Sequence, residues 1–387
     1  MICLGRNTAT GQQVQVKFGE TIESIESIDA MEAGVASDIY VAPGFIDLQV
    51  NGFAGVDFND PAIPVEDVAR ATDAILATGV TRFFPTVITA PAKTMLSSLG
   101  NLHRARKQLV HAAAVAGFHV EGPHIDPTDG PRGAHPVGSV RAPDFDEFQR
   151  WQEVTDGSIR IVTLSPHWPE AVDYIERLCA AGVVVAIGHT GASSAQIAEA
   201  VSAGATLSTH LGNAGPAMVR KFPNCLWDQL AEDRLSASFI LDGAHLGAHL
   251  DPAYLRVALR AKGLARTILV TDAATPAGAM PGDYRLGELD VELTRDGRVV
   301  LRGQERLAGS ALRMNRAIAN LMATGEATLA EAVAAATVNP ANVARISGRM
   351  HGLATGERAD VVVFRLTDRL EILEVYLDGK RTGVATA

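Results

Sequence analysis

Ligand-type side chains follow several short apolar runs of this 387-residue sequence, each close to the point where the run ends. Glu121 follows VAGFHV, His189 follows VVVAIG, and His210 follows TLST. Taken singly, a salt bridge explains the glutamate equally well, and a structural role is the favoured explanation of each histidine. Taken together, one carboxylate and two imidazoles match the three protein ligands of a catalytic zinc site, whose fourth position holds water. The set therefore predicts one divalent metal site.

Polar residues on two further runs suit the same chemistry. Asp272 follows TILVT, where its carboxylate could exchange a proton with a metal-bound water and then with a leaving amine. An N-cap of the next segment is the alternative explanation for this residue. Gln49 and Asn51 alternate along PGFIDLQVNG and share one face of a strand. Because amides are poor zinc ligands, this face predicts no second tightly bound metal.

The elements that must position these residues form a repeating pattern. Eight short apolar or β-branched runs recur, and most are followed by a segment with helical apolar spacing. The predicted strands are 45–50, 81–88, 115–120, 160–164, 183–187, 206–209, 237–241 and 267–271. The predicted helices are 65–78, 94–112, 169–181, 193–203, 252–262, 311–323 and 329–337. Eight such units favour a closed α/β barrel, a (β/α)8 fold whose strand ends gather their residues at one rim.

The two ends of the chain differ from the middle. They show short alternating strands with turn signals such as Asp378-Gly379, and little helical pattern. Chain ends commonly meet at a surface. We therefore predict that residues 1–42 and 350–387 form one small β domain beside a barrel domain of residues 43–349.

Composition and charge exclude other classes of protein. The chain is 47% hydrophobic and 20% charged, which is typical of a globular protein rather than a disordered one. Its formal net charge is −10, without a basic patch, so no nucleic acid partner is expected. Three widely spaced cysteines without a CxxC pair favour a reducing cytoplasm. We expect no membrane span, because no apolar run approaches about 18 residues. We expect no secretory signal, because MICLGRNTATG lacks a basic segment followed by a long apolar one.

A set of motifs along nearly the whole chain resembles the amidohydrolase superfamily in order and spacing, most closely its branch of amino-sugar-phosphate deacetylases. The motifs are PGFIDLQVNG, HVEGPH, IGHT, STHLGNAG, LDGAHL, LVTDA, LAGSAL, NPA and GERADVVVF. The resemblance implies a metal-dependent (β/α)8 barrel, a β-sandwich built from both termini, and a homodimer. It also implies deacetylation of N-acetylglucosamine 6-phosphate to glucosamine 6-phosphate and acetate, through a metal-bound hydroxide and an aspartate acid/base.

The resemblance also implies roles for individual residues. Glu121, His189 and His210 match the ligands of a single divalent ion, with zinc expected first and Fe²⁺ or another divalent ion as the alternative. Asp272 matches the acid/base residue. His135, in GAHP, matches a histidine that helps to polarise the amide carbonyl.

Substrate contacts are implied for a second group of residues. These are Asn213, Ala214, His245, Arg220, Lys221, Gln49 and Asn51. The run HLGNAGPAMVRKF departs from the family pattern, in which an arginine after this loop reaches the phosphate of a neighbouring subunit's ligand. Arg220 and Lys221 align with that arginine only loosely, and His167 has no assigned role. Among the other histidines, His103, His111, His249 and His351 are interpreted as solvated or packing residues, His124 as a loop residue, and His119 as an inner-face residue without a role.

Two alternatives to this function stay open. The altered loop after His210 is compatible with a deacetylase of another N-acyl amino sugar, including an unphosphorylated one. A non-catalytic sugar-binding relative is also compatible with that loop, although a polar cluster at a barrel mouth is costly to keep without an ion. A cyclic-amide hydrolase is less favoured, because those enzymes usually carry a first-strand HxH that is missing here.

Overall fold

The computed structural model describes residues 1–29, 36–243 and 248–383, in four sheets with interleaved helices. The strands are β1 Ile2–Asn7, β2 Gln13–Phe18, β3 Ile22–Ser27, β4 Ile39–Pro43, β5 Phe45–Val50, β6 Gly52–Phe53, β7 Val56–Asp57, β8 Val80–Ile88, β9 Phe118–Glu121, β10 Ile159–Leu164, β11 Val184–Ile187, β12 Leu207–Ser208, β13 Ser236–Ile240, β14 Thr267–Val270, β15 Gly282–Leu286, β16 Leu289–Leu293, β17 Val299–Leu301, β18 Val361–Leu366, β19 Leu370–Leu377 and β20 Lys380–Arg381. The α-helices are α1 Val65–Leu76, α2 Ala92–Arg106, α3 Phe145–Val154, α4 Ala171–Ala180, α5 Ser194–Ser202, α6 Cys225–Ala231, α7 Pro252–Lys262, α8 Met314–Ala323, α9 Leu329–Ala335 and α10 Val338–Val343.

Eight parallel strands form the central sheet, in the order β5-β8-β9-β10-β11-β12-β13-β14. Its first and last strands meet through a parallel bridge between Val50 and Ala273. The backbone N–H of Asn51 also donates to the backbone carbonyl oxygen of Ala273. The predicted (β/α)8 architecture is confirmed, and the segments that leave the strands emerge at one rim.

The helices that cover this sheet carry the end signals expected of short amphipathic segments. Ser193 and Gln196 form a capping box at the start of α5, which buries Ile197, Ala200 and Val201. Three of the helices, α3, α6 and α10, were absent from the sequence-based prediction, although α3 and α6 begin after an Asp or Asn cap. Within the described ranges, none of the helices combines the length and the apolar character needed to cross a membrane.

Strands from both chain ends assemble into one mixed sheet, as expected from their turn signals and alternation. The order is β20-β19-β18-β4-β1-β2-β3, in which β1 and β4 are parallel and the other neighbours are antiparallel. Val16, Phe18 and Val361 lie in its separate apolar core. β4 leads through Gly44 directly into β5, so the terminal sheet is continuous in sequence with the first barrel strand. The domain boundaries at 42 and 350 stay predictions.

A three-stranded antiparallel sheet, β15-β16-β17, follows the last barrel strand and was not predicted. Its apolar face packs on Ile88 and Ala274, at the ends of two barrel strands. The backbone N–H of Gly287, in the turn between β15 and β16, donates to Asp57 Oδ2 at 2.6 Å. This sheet therefore covers part of the rim where the predicted site residues emerge.

A buried cluster of arginines and aspartates joins the terminal sheet to the barrel. Arg82, on β8, donates to Asp360 Oδ2 from Nε at 2.7 Å and to Asp360 Oδ1 from Nη2 at 3.0 Å. Arg349 donates to the same carboxylate and to the carbonyl of Gly44. Desolvation opposes ionisation of Asp360, but the charges of Arg349 and Arg82 outweigh it and hold the pKa below its usual value.

We predict that Asp360→Ala lowers the free energy of unfolding by about 3–5 kcal/mol, because it leaves Arg349 buried without its carboxylate partner. Since the folded-state pKa of Asp360 is depressed, its contribution is present above the unfolded value of about 3.9 and is lost as the pH falls through the folded value. Urea unfolding midpoints measure the change. Asp173→Ala, which breaks the exposed pair with Arg177, is the matched control, and an equally small effect of both variants would contradict the prediction.

Candidate active site and metal centre

Three barrel strands end at side chains that converge at the rim. Glu121 is the last residue of β9, His189 follows β11, and His210 follows β12. Oε1 of Glu121 lies 3.2 Å from Nε2 of His189 and 3.0 Å from Nε2 of His210. Potential ligand atoms of the three residues all lie within 4.8 Å of one another, and all three side chains are buried. Residues distant in sequence therefore form one compact group, which we call the Glu-His-His cluster.

The backbone around this cluster adopts conformations that are rare for residues other than glycine. The φ angle is 51° at His189, 30° at His210, 48° at Ala214 and 48° at Asp272. Left-handed conformations of such residues cost roughly 1–3 kcal/mol each and concentrate at functional sites, where the surrounding fold enforces them. Four residues that the sequence analysis selected are therefore held in strained turns at strand ends.

The side-chain amides of Gln49, on β5, and Asn51, directly after β5, hold Asp272 beside Glu121. Gln49 Nε2 donates to Glu121 Oε1 at 2.8 Å and to Asp272 Oδ1 at 3.0 Å. Asn51 Nδ2 donates to Asp272 Oδ1 at 2.6 Å. Burial and the nearby charge of Glu121 raise the pKa of Asp272 to about 6. The two amides thus act as donors that bridge and orient carboxyl groups.

The charge state of the cluster suits a cation. Desolvation opposes ionisation of Glu121, but hydrogen bonds from His189 and His210 hold its pKa well below the usual value. Nδ1 of His210 and Oδ1 of Asn51 are buried without a hydrogen-bond partner among the described residues. A carboxylate with two imidazoles is a donor set that zinc and similar divalent ions accept. The residues present therefore fit a metal ion.

His135 lies against the cluster as a neutral imidazole. Its Nδ1 is 2.7 Å from the hydroxyl oxygen of Thr89, and its Nε2 is 3.9 Å from Glu121 Oε2. The ring centroid lies 4.4 Å from that of His189. Burial lowers the pKa of His135 to about 3, and the neighbouring His189 acts in the same direction. The ring can therefore offer an N–H to a ligand without carrying a charge.

A cavity of about 260 Å³ opens over these residues. One wall carries the Glu-His-His cluster, Asp272 and His135, whereas Ile88, Leu286 and Leu289 contribute apolar surface. A neighbouring cavity of about 530 Å³ shares these three apolar residues but is lined by none of the cluster residues. The smaller cavity is therefore the one that could present a substrate to the cluster. Its mixed walls suit a small polar molecule with an apolar substituent.

The predicted substrate contacts have different positions. Asn213 and Ala214 line the cavity, and Asn213 Nδ2 donates to the carbonyl of His210 at 3.2 Å. Arg220 and Lys221 are exposed and do not line it. His245 lies outside the residues that the structure describes.

Two cavity residues with ionisable side chains were missed by the sequence analysis. His249 was interpreted there as a solvated or packing residue. Its side chain is buried on the cavity wall, and Nδ1 is hydrogen-bonded to Oδ2 of Asp242. Arg306 also lines the cavity and comes directly before the LAGSAL motif. The position of Asp242 just after β13, the seventh barrel strand, was the available signal for the first residue. No comparable signal marks Arg306.

Comparisons with known proteins agree with this geometry. Residues 40–382 match the Amidohydrolase family. N-acetylglucosamine-6-phosphate deacetylase of Bos taurus is 36% identical over 353 residues, which cover 88% of this chain and 82% of the relative. The enzyme of the same name from Bacillus subtilis (strain 168) is 30% identical over 335 residues, covering 86% and 82% of the two chains.

Solved structures match over nearly the full length. N-acetyl-D-glucosamine-6-phosphate deacetylase from Mycobacterium smegmatis superposes with a TM-score of 0.87 at 29% identity, covering 99% of this chain and 100% of the other. A mutant of the Mycobacterium smegmatis enzyme in complex with N-acetyl-D-glucosamine-6-phosphate gives a TM-score of 0.85 at 30% identity, covering 95% and 94%.

We predict that the purified protein carries one divalent ion and that Glu121→Gln lowers its metal content at least about tenfold, because a neutral amide replaces the only carboxylate ligand of the cluster. Asp272→Asn, a matched carboxylate-to-amide change outside the cluster, should retain the ion. Elemental analysis after dialysis measures both variants. Loss of metal from Asp272→Asn with retention in Glu121→Gln would contradict the assignment.

Proposed function

The chain belongs to the amidohydrolase family, in its group of N-acetylglucosamine-6-phosphate deacetylases, and on this premise we propose that it hydrolyses the acetamide of N-acetylglucosamine 6-phosphate to glucosamine 6-phosphate and acetate. The observation that carries the proposal is the buried Glu-His-His cluster beside Asp272 in a small cavity. A non-catalytic relative would have no reason to keep two buried carboxyl groups so close together.

The Glu-His-His cluster would hold one metal ion, for which we propose zinc, with Fe²⁺ or another divalent ion able to use the same ligands. Such an ion, when bound, polarises a carbonyl and lowers the pKa of water to about 7. The role of the protein at this point is to fix the ligands. Strained turns at His189 and His210 and the amide of Gln49 on Glu121 do so.

Asp272 is the proposed acid/base residue. Its carboxylate takes a proton from the water that attacks the acetyl carbon, and the same proton passes to the nitrogen as the amide C–N bond breaks. Hydrogen bonds from Gln49 and Asn51 fix the oxygen Oδ1 and leave Oδ2 for this exchange. A pKa raised to about 6 by burial makes the group a stronger base than an exposed aspartate and keeps it ionised near neutral pH.

His135 is the proposed partner of the acetyl oxygen. With Nδ1 directed at Thr89, the other ring nitrogen, Nε2, is the one near the cluster. An N–H at this atom would stabilise the negative charge that develops on the oxygen as the carbonyl carbon becomes tetrahedral. Since the ring is neutral, it adds a hydrogen bond without repelling a cation.

The rest of the cavity would bind the sugar. We propose that Asn213, Ala214 and the loop that follows β12 contact the hydroxyl and phosphate groups, with His245 in the same role. The homodimer and the cytoplasmic location expected from the sequence are retained as part of this proposal. Three free cysteines support a reducing compartment.

Incubation with N-acetylglucosamine 6-phosphate tests the proposed function directly. We predict acetate release at a rate that a chelator abolishes and that added zinc restores, because the Glu-His-His cluster needs its ion. Acetate is measured by a coupled assay. Activity that persists undiminished after complete removal of metal would contradict the proposal, as would the absence of turnover in the metal-loaded protein.

Asp272→Asn should lower kcat by about 10²–10⁴-fold, the usual range for loss of general acid/base catalysis, because an amide cannot accept the proton. The asparagine can keep the hydrogen bond from Asn51 through its own side-chain oxygen, so folding and metal content should change little. Initial rates at saturating substrate measure the effect. A variant with near-wild-type turnover would show that another group moves the proton.

A further inference from the structure

One cationic side chain of the catalytic cavity has no role in the proposed chemistry. Among the described residues that line this cavity, Arg306 is the only lysine or arginine. Its Nη1 donates to the carbonyl of Gly133 at 3.2 Å, and its Nη2 lies 2.8 Å from Asp129 Oδ1. The side chain is 38% exposed and also lines the cavity, so it can be reached from solvent.

Arg306 is anchored next to the loop that carries the predicted sugar contacts. A Cβ built on Gly133 would lie 3.4 Å from Cε1 of His189 and 3.9 Å from Cβ of Ala214. A Cβ on Gly130 would lie 2.9 Å from the carbonyl oxygen of Gly215. The segment that accepts the hydrogen bond from Arg306 therefore packs between the metal-site histidine and the loop after β12.

The local charge around Arg306 favours an anion. Arg132 also approaches Asp129, with Nη2 at 3.4 Å from Oδ1, so that two guanidinium groups share one carboxylate that is 72% exposed. Deeper in the cavity, Glu121 and Asp272 would repel a phosphate. A phosphate group should therefore bind at the rim, where a guanidinium with unused N–H donors can form a bidentate contact.

From these observations we propose that Arg306 recognises the 6-phosphate of the substrate from within the same chain. The contact of Arg220 or Lys221 with the phosphate of a neighbouring subunit's ligand stays a separate prediction. This inference rests on the deacetylase function proposed above and identifies the group that makes the site selective for phosphorylated amino sugars.

Binding of the reaction product tests the proposal without relying on turnover. Calorimetry compares glucosamine 6-phosphate with glucosamine on the metal-loaded wild type, Arg306→Gln and Arg306→Lys. Arg306→Gln should weaken binding of the phosphorylated sugar about 10- to 100-fold, as expected for loss of charged hydrogen bonds, and leave glucosamine unaffected. Arg306→Lys should recover part of the loss, because it restores the charge without the bidentate geometry.

Two control variants separate recognition from loop positioning. Arg302→Gln makes the same change at a neighbouring exposed arginine that pairs with Asp283, and should bind like the wild type. Asp129→Asn removes the ion pair of Arg306 but keeps its charge, so it should bind the phosphorylated sugar at least as well as the wild type. If Asp129→Asn reproduced the loss seen in Arg306→Gln, Arg306 would be a loop anchor and the proposal would be overturned.

Kinetics distinguish the failure of this inference from the failure of the proposed function. Arg306→Gln should raise KM for N-acetylglucosamine 6-phosphate about 10- to 100-fold with little change in kcat. An active wild type with an unchanged Arg306→Gln, or a loss found instead in Arg220→Gln, would overturn only the assignment of Arg306. A wild type that neither binds glucosamine 6-phosphate nor releases acetate would overturn both.

Discussion

The burial of two carboxyl groups at the mouth of the barrel is the constraint on which the rest of this site depends. Glu121 and Asp272 are both buried, and one amide, from Gln49, donates to both of them. Neighbouring anions removed from water are stable only where donors or cations surround them. The two imidazoles and the two amides supply hydrogen-bond donors to these carboxyl groups, and the predicted metal ion would supply positive charge.

The barrel satisfies this constraint by placing hydrogen-bond donors next to the two buried carboxyl groups. Parallel strands bring residues that are 68 to 223 positions apart to one rim, as the contacts from His189 to Glu121 and from Gln49 to Asp272 illustrate. Closure between Val50 and Ala273 places the first strand, which supplies the amides, beside the last, which supplies Asp272. Strained turns at the strand ends are tolerated because the closed sheet beneath them is rigid.

Much of this arrangement could be predicted from the sequence, because the barrel strands are continuous apolar runs and their ligands come directly after them. The three-stranded sheet between β14 and α8 was missed, although β16, LDVEL, alternates apolar and polar residues, and the sheet packs against Ile88. Arg306 could not be placed, because its position is set by loop contacts, whereas the position of Asp242 just after β13 was the available signal for His249. Arg306 contacts a carbonyl 173 residues away. The phosphate contacts of Arg220 and Lys221, which were expected across a subunit boundary, stay predictions.

Crystallographic anomalous scattering at the zinc edge, on protein purified without chelator, shows directly whether Glu121, His189 and His210 hold one ion. We expect one anomalous peak at about 2.0–2.2 Å from a carboxylate oxygen of Glu121 and from a ring nitrogen of each of His189 and His210. We also expect Asp272 beside the ion, with its amide contacts to Gln49 and Asn51 preserved. Electron density with the three side chains directed to separate pockets, or an ion bound elsewhere in the barrel, would contradict this prediction.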